Sequence, residues 1–370
     1  MKIPPVKLYF PPEDIVKIQE DVKKILESGM LTLGEYTRRF EKKFAQLSQT
    51  KFAVATNSGT SALEIILRSL PIPKSAIVLV PTNTFTATAA TVILSGHKLK
   101  LIDVNPVSAC LSLKAIEANL NPKPAAIIVV HIGGLMAPEI FEIREYCTSH
   151  GIYLVEDAAH AQGSIARGSP AGSLGIAGAF SFYPTKVITS GEGGMVVTND
   201  KHIYEEGLRL RDQGKDSFLC NDIVRIGNNW RLPEISAAVG LRQLKRLDKI
   251  IQDRTEAASY FEGGLAEIPS IETRDTPNDF RNNYYKYILY TKNRDRLSKF
   301  LNEQGISCSG AVYDPPLHLQ PIYRNLLGMK EGDLPNAEMV SKTMLCLPMF
   351  KMTQEEKEYI VNKIKECEMK

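Results

Sequence analysis

Two hydrophobic periods alternate along this chain, and their exchange predicts its architecture. Behind Pro12, with acid at Glu13 and Asp14, the residues Ile15, Ile18, Val22, Ile25 and Leu26 recur at helical spacing up to Gly29. That pattern predicts an amphipathic helix closed by glycine. A second amphipathic segment follows from Glu35 to about Leu47. Short apolar runs of strand length then appear at 77–80, 98–104, 126–130, 152–155, 179–183 and 195–198. Several are continuous rather than alternating, as strands covered on both faces are. Helical stretches at 61–70, 138–149 and 202–211 lie between some of them. Strand, helix and strand in that order predict an α/β fold with a mostly parallel sheet.

After Asn228 the strand rhythm stops. A long helical stretch is expected from Pro233 through Phe261, with Leu241, Leu244, Leu247, Ile250 and Ile251 as its apolar stripe and Gly263-Gly264 as its end. The remainder reads as a smaller α+β unit, with a strand at 285–290 and a helix at 295–304. A last helix is opened by the capping box Thr353-x-x-Glu356, with Ile360, Val361 and Ile364 inside. These readings divide the chain into a large domain, 1–250, and a small C-terminal domain, 251–370.

Composition removes several classes of function. Of 370 residues, 44% are apolar and 24% charged, which suits a globular chain with a sizeable core. The 45 basic and 42 acidic residues leave a net charge of +3, and no basic cluster marks a nucleic-acid surface. No stretch approaches the roughly 18 apolar residues of a membrane span. Met1-Lys2-Ile3-Pro4-Pro5 lacks the apolar core of a signal peptide, so a cytoplasmic protein is expected. The six cysteines contain no Cys-x-x-Cys pair, and neither a metal site nor a disulfide framework is expected.

Four segments carry candidate chemistry. Asn57-Ser58-Gly59-Thr60-Ser61 runs into a helix, whose unpaired N–H groups suit either a phosphate or a plain cap. Glu156-Asp157-Ala158-Ala159-His160 ends an apolar strand, where ligands bind in parallel sheets; the acid there pairs with a ligand cation or is a loop acid bonded to a histidine. Ser181-Phe182-Tyr183-Pro184-Thr185-Lys186 precedes Gly191-Glu192-Gly193-Gly194-Met195, and a lysine held away from water becomes an amine nucleophile. The glycines match neither nucleotide-loop spacing. Gly227-Asn228-Asn229-Trp230 holds the only tryptophan, and core packing explains it as well as function does.

Together the four supply what pyridoxal phosphate needs: a lysine Schiff base for its aldehyde, a carboxylate for its ring nitrogen and a helix terminus for its phosphate. With them the chain resembles the DegT/DnrJ/EryC1/StrS family of nucleotide-sugar aminotransferases over nearly its whole length. The likeness runs from Ser28-Gly29-Met30-Leu31-Thr32 to Pro316-Leu317-His318-Leu319-Gln320-Pro321 and Leu347-Pro348. It implies an aspartate-aminotransferase-like large domain, fold type I, with a mixed sheet. Lys186 matches the family's cofactor-bonded lysine, Asp157 the acid at the ring nitrogen, and His160 the Gln or His near the ring. Gly59, Thr60, Ser61 and Ser181 fall at the phosphate, Phe85 on the ring face, and Asn229 at a residue supplied by the neighbouring subunit of a homodimer. Tyr313 and His318 lie in the family's sugar-contacting segment. The implied reaction passes an amino group from an amino acid, glutamate by family habit, through the pyridoxamine form to a nucleotide-linked keto-deoxysugar.

Two segments depart from the family. Val312-Tyr313 stands where many relatives read His-Tyr, and His131-Ile132-Gly133-Gly134-Leu135 lacks the usual aromatic. The glycine run 191–194 resembles the perosamine-synthase branch, which implies amination at C4. The rival readings are a dehydratase of the same family, in which histidine replaces the lysine, and a non-catalytic ligand sensor. A fold-type I lyase or desulfurase lacks an evident catalytic cysteine here. Lys186 and Asp157 stand against the first two.

Overall fold

The apolar runs of the first half of the chain form one seven-stranded sheet in the computed structural model, which describes residues 1–368. Its order is Phe52–Thr56, Gly194–Thr198, Ala177–Ser181, Tyr153–Asp157, Ala126–Val130, Ile77–Pro81 and Lys98–Ile102. Gly194–Thr198 runs antiparallel to both neighbours, and the remaining pairs are parallel. Both faces are covered, so successive strand residues enter different cores. Val78, Val80, Ile128 and Val155 pack on the side of helix Gly59–Ser69, while Leu79, Ile127, Val129 and Leu154 pack on the other. That second face meets Phe40 and Phe44 of helix Glu35–Leu47, whose rings lie 4.9 Å from Phe182 and 4.8 Å from Phe180.

Four neighbouring parallel strands bring their carboxyl ends to one edge, where ligands bind in such sheets. There the chain leaves the sheet as Thr82 to Phe85, His131 to Gly134, Asp157 to His160 and Ser181 to Lys186.

A second core surrounds the three-stranded antiparallel sheet Glu272–Thr273, Tyr287–Tyr290 and Met344–Leu347. Helices Leu247–Leu265, Arg294–Glu303 and Gln354–Glu368 pack on it. The capping box is made in both directions: Thr353 N donates to Glu356 Oε2 at 2.8 Å, and Glu356 N to Thr353 Oγ1 at 3.2 Å. Ile3 is buried in this same core and pairs with Ile306, so the first residues lie on the smaller unit. We propose the domain division near residue 250 because Leu247 and Ile251 belong to the large core, whereas Ala257, Phe261 and Leu265 belong to the small one.

Two expectations change. The helical stretch after Pro233 is two helices, Glu234–Lys245 and Leu247–Leu265, broken at Arg246. The second continues through Gly263-Gly264, because buried Phe261 and Leu265 hold its last turns on the core. Strand Phe52–Thr56 has no clear apolar signature, since Ala53 and Ala55 dilute its β-propensity. Among the described residues no helix is long and apolar enough to cross a membrane, and no His, Cys, Asp and Glu cluster could hold a metal. Among the described residues Cys110, Cys147, Cys220, Cys308 and Cys346 form no disulfide.

Candidate active site

Strand alternation sends the adjacent acids Glu156 and Asp157 to different work. Glu156 is fully buried and accepts four hydrogen bonds, from His131 Nε2 at 2.9 Å and from the backbone N of Gly172, Leu174 and Gly175 at 2.8, 2.7 and 2.6 Å. Ala137 N donates to His131 Nδ1, which puts the ring proton on Nε2, facing Glu156. A carboxylate so fully paired has no capacity left for a ligand. It ties two loops to the strand end.

Asp157 has spare capacity. One oxygen accepts from Thr88 Oγ1 at 2.7 Å and the other from Ala159 N at 3.1 Å. Thr84 in turn donates to Thr88, at 2.7 Å, so the chain of protons ends on the aspartate. Burial pushes the carboxyl above its ordinary pKa, with the two donors and Lys186 pulling the other way. A buried acid in this state is suited to a cationic partner.

Lys186 sits in the loop after Ala177–Ser181, its N bonded to Tyr183 O at 2.9 Å. Its Nζ lies 4.9 Å from the centre of the Tyr285 ring, and Lys286 Nζ lies 5.3 Å from the same ring. Loss of water lowers the Lys186 pKa to about 8; Asp157 opposes this and Lys286 adds to it. Roughly a tenth of the amine is therefore neutral at pH 7, against less than a thousandth for an ordinary lysine.

His160 stacks on Tyr285 with centroids 4.3 Å apart. Its Nδ1 accepts from Gly133 N at 3.3 Å, and its Nε2 lies 3.2 Å from Tyr313 Oη. Burial first, then Lys186, Lys286 and Arg274, hold the imidazole well below its usual pKa. The ring is neutral, with its proton on Nε2.

The helix end carries the cap, one of the two roles the sequence left open. Ser58 caps Gly59–Ser69, accepting from Ser61 N at 3.0 Å, and Ser61 Oγ donates to Asn57 Oδ1 at 2.5 Å. A Cβ on Gly59 would stand 2.8 Å from that of Ser181, and one on Gly194 only 2.1 Å from Ser58 O. Glycine at both places lets the helix terminus lie against the ends of two strands. Thr60 is exposed, Ser61 buried and Ser181 partly buried.

Phe85 precedes helix Thr86–Leu94 and is 60% exposed, with its ring 6.4 Å from that of Tyr313. Asn229 is exposed, and its carbonyl accepts from Asn57 Nδ2 at 3.3 Å, so it borders the same helix terminus within its own chain. His318 is placed differently from a sugar-reading residue. It is fully buried, with Nδ1 2.9 Å from Thr82 Oγ1 and Nε2 3.0 Å from Glu338 Oε1. Neither nitrogen is free, which corrects its assignment to the substrate. Sequence reading missed Thr88, Tyr285 and Lys286. Tyr285 and Lys286 appeared only as strand residues, and nothing local ties them to Lys186.

A family model described as the DegT/DnrJ/EryC1/StrS aminotransferase family matches residues 12–365. The chain belongs to this family. Among relatives of this DegT-family chain, a "Pleiotropic regulatory protein" of Geobacillus stearothermophilus is 34% identical over 95% of this chain and 94% of its own. GDP-perosamine synthase of Vibrio cholerae is 33% identical over 81% and 83%. The crystal structure of DesV from S. venezuelae superposes with a TM-score of 0.92 at 31% identity, covering 99% of this chain and 98% of that one. The DegT-family chain thus has the α/β fold of these aminotransferases.

Proposed function

We propose that the protein transfers an amino group from an amino acid, glutamate, to C4 of a nucleotide-linked 4-keto-6-deoxysugar, with pyridoxal phosphate as its cofactor. The observation that carries this reading is the pairing of a lysine of lowered pKa, Lys186, with a buried and under-coordinated acid, Asp157. The cofactor supplies an electron sink and an amino carrier when bound.

The residues fit that group. Asp157 offers a carboxylate to the ring nitrogen, exposed Phe85 a face for the ring, and Gly59, Thr60, Ser61 and Ser181 a helix terminus with hydroxyls for the phosphate. Lys186, partly neutral at pH 7, would hold the cofactor through its aldehyde and, once released, would move a proton at the substrate carbon. His160 presents an Nε2–H as a neutral donor at the ring edge, and Tyr313 reaches the same proton. The same intact Lys186 and Asp157 support an enzyme over the regulatory role in one relative's name, and over a dehydratase lacking the lysine.

A homodimer with shared sites is supported by the excursion between Asp212 and Asn229. It carries Leu219, 92% exposed, and Ile226, 87% exposed, with Ile223 and Val224 also largely bare. An apolar surface of this kind marks an interaction site, and it leads directly to Asn229. Cys110, Cys147, Cys220, Cys308 and Cys346, none of them in a disulfide, support a cytoplasmic location.

The C4 assignment draws on the likeness to GDP-perosamine synthase. Gly194 of the glycine run is required by packing against Ser58 and says nothing about the sugar carbon. A panel of 3-keto and 4-keto nucleotide sugars, with glutamate and mass detection of the aminated product, tests the reading. Amination of 3-keto sugars alone overturns the position, and amination of none overturns the function.

A further inference from the structure

A small cavity of about 40 Å³ opens beside the lysine loop, lined by Lys186 and Val187 on one side and by the two helices that meet at Arg246 on the other. Two of its lining side chains are almost fully buried and carry N–H groups without a partner. Gln243 is 3% exposed with Nε2 unpaired, and Arg254 is 4% exposed with Nε unpaired. Unsatisfied buried donors are rare, and each one left so destabilises a folded protein unless a ligand or water takes it up.

The charge around them is one-sided. Lys7 and Lys351 stand exposed among the lining residues, and Arg246, paired with Asp14 at 3.6 Å, stacks over Tyr9 at 5.2 Å. Asp253 is the single acid in the lining, and Lys249 already holds it at 2.9 Å. Arg254 donates from Nη1 to the carbonyls of Tyr284 and Tyr285, and among the described residues no carboxylate pairs with it. Its burial lowers its pKa to about 10, which leaves it a cation at neutral pH.

Resting on the transaminase reading, we propose that this cavity takes a carboxylate of the amino-acid donor, held by Gln243 and Arg254 with Lys7 and Lys351 at the mouth. The volume holds a carboxylate or roughly three waters, far short of the several hundred Å³ that a nucleoside diphosphate needs. Planar N–H donors match a carboxylate's two oxygens. Lys186 and Val187 line the same cavity, so an anion there lies against the loop that carries the reactive amine.

The test uses glutarate, a dicarboxylate with no amine to transfer, titrated calorimetrically into the cofactor-loaded enzyme, with UDP as a separate arm. In Gln243→Leu glutarate binding weakens about tenfold or more, and in Gln243→Glu it is lost, because a second carboxylate faces the first. UDP binding changes less than about twofold in both. Equal glutarate binding in wild type and Gln243→Glu overturns the proposal. So does a parallel loss of UDP, which makes the cavity a phosphate site. If the Gln243 variants fail to fold, the exposed pair Lys7→Gln and Lys351→Gln decides: together they weaken glutarate binding severalfold at low salt, and unchanged binding is the adverse result. Glutarate binding requires no turnover, so an enzyme that aminates no keto-sugar defeats the transaminase reading and leaves this measurement standing.

Discussion

Tyr313 Oη lies 3.2 Å from His160 Nε2, and Gly133 N donates to the other nitrogen of that ring. The tyrosine, coming from the segment before strand Met344–Leu347, is thereby fastened to a residue three positions beyond Asp157. His318, five residues further on, is fastened elsewhere, between Thr82 and Glu338. Tyr313→Phe and His318→Ala therefore separate two roles. Tyr313→Phe should slow the keto-sugar half-reaction about tenfold more than the amino-donor half-reaction, with little change in melting temperature, since a site built to bond a hydroxyl loses selectivity when its own group goes. His318→Ala should instead cost about 2–3 kcal/mol of stability in denaturant titration, because it leaves Glu338 and Thr82 without a buried partner. A stable His318→Ala enzyme with a selective loss of keto-sugar turnover restores His318 to the substrate site.

Lys186 carries a second expectation. Peptide mapping after borohydride reduction of the yellow holoenzyme should place the pyridoxyl label on this lysine alone. Lys186→Ala and Lys186→Arg should both abolish turnover, the guanidinium being unable to replace the amine. In the apoenzyme the rate of pyridoxal phosphate capture should rise with pH through a midpoint near 8, where the amine loses its proton. Lys286→Gln removes a neighbouring cation and should move that midpoint upward by a few tenths of a pH unit. The sign extends to stability. An unfolded lysine keeps its proton to about pH 10.4, so between pH 8 and that value the unfolded chain binds more protons and the apo fold gains stability as pH rises. A midpoint above 10 in wild type would contradict the lowered pKa.

Asp157 should show function and stability pulling apart. Its carboxyl is raised by burial, so its ionised form costs the apo fold free energy at neutral pH. Asp157→Asn keeps the shape and removes the charge. The apo variant should melt at the wild-type temperature or a few degrees above it, while transaminase activity falls by about a thousandfold or more and cofactor retention weakens. An apo form destabilised by more than about 1 kcal/mol would mean that the second acceptor oxygen, which the amide lacks, is needed to hold Thr88 and Ala159 in place.

Much of this site is visible in the chain because its parts are local. Asp157 and His160 share one loop, Ser58 and Ser61 one helix start, and Lys186 one strand exit, so spacing and element boundaries locate them. The sheet is visible for the same reason, each covered strand being a short apolar run. What escaped depends on contacts across long separations. Tyr285 touches Lys186 and His160 from about a hundred residues away, and its own surroundings read as an ordinary strand. His318 lies in a family segment, yet its burial is set by Thr82 and Glu338, one 236 residues before it and one 20 residues after it. The four donors on Glu156 are equally invisible, since three come from backbone N–H groups in a loop beyond His160.

The dimer reading rests on Asn229 and on the apolar excursion that leads to it, and the two can be tested together. Asn229 borders the helix terminus of its own chain through its carbonyl, leaving its side chain exposed. In a homodimer with shared sites that side chain serves the partner's phosphate. Lys186→Ala and Asn229→Ala, each nearly inactive as a pure protein, should therefore recover activity on subunit mixing. A random mixture places half the molecules in heterodimers, each with one site carrying both wild-type residues, so recovery should approach about a quarter of the wild-type rate per site. Leu219→Asp puts a charge on the most exposed apolar side chain of the excursion and should shift the protein toward monomer in sedimentation, with activity lost in parallel. Proven subunit exchange without recovery would show that Asn229 serves its own chain, and a fully active Leu219→Asp monomer would show that each site is complete alone.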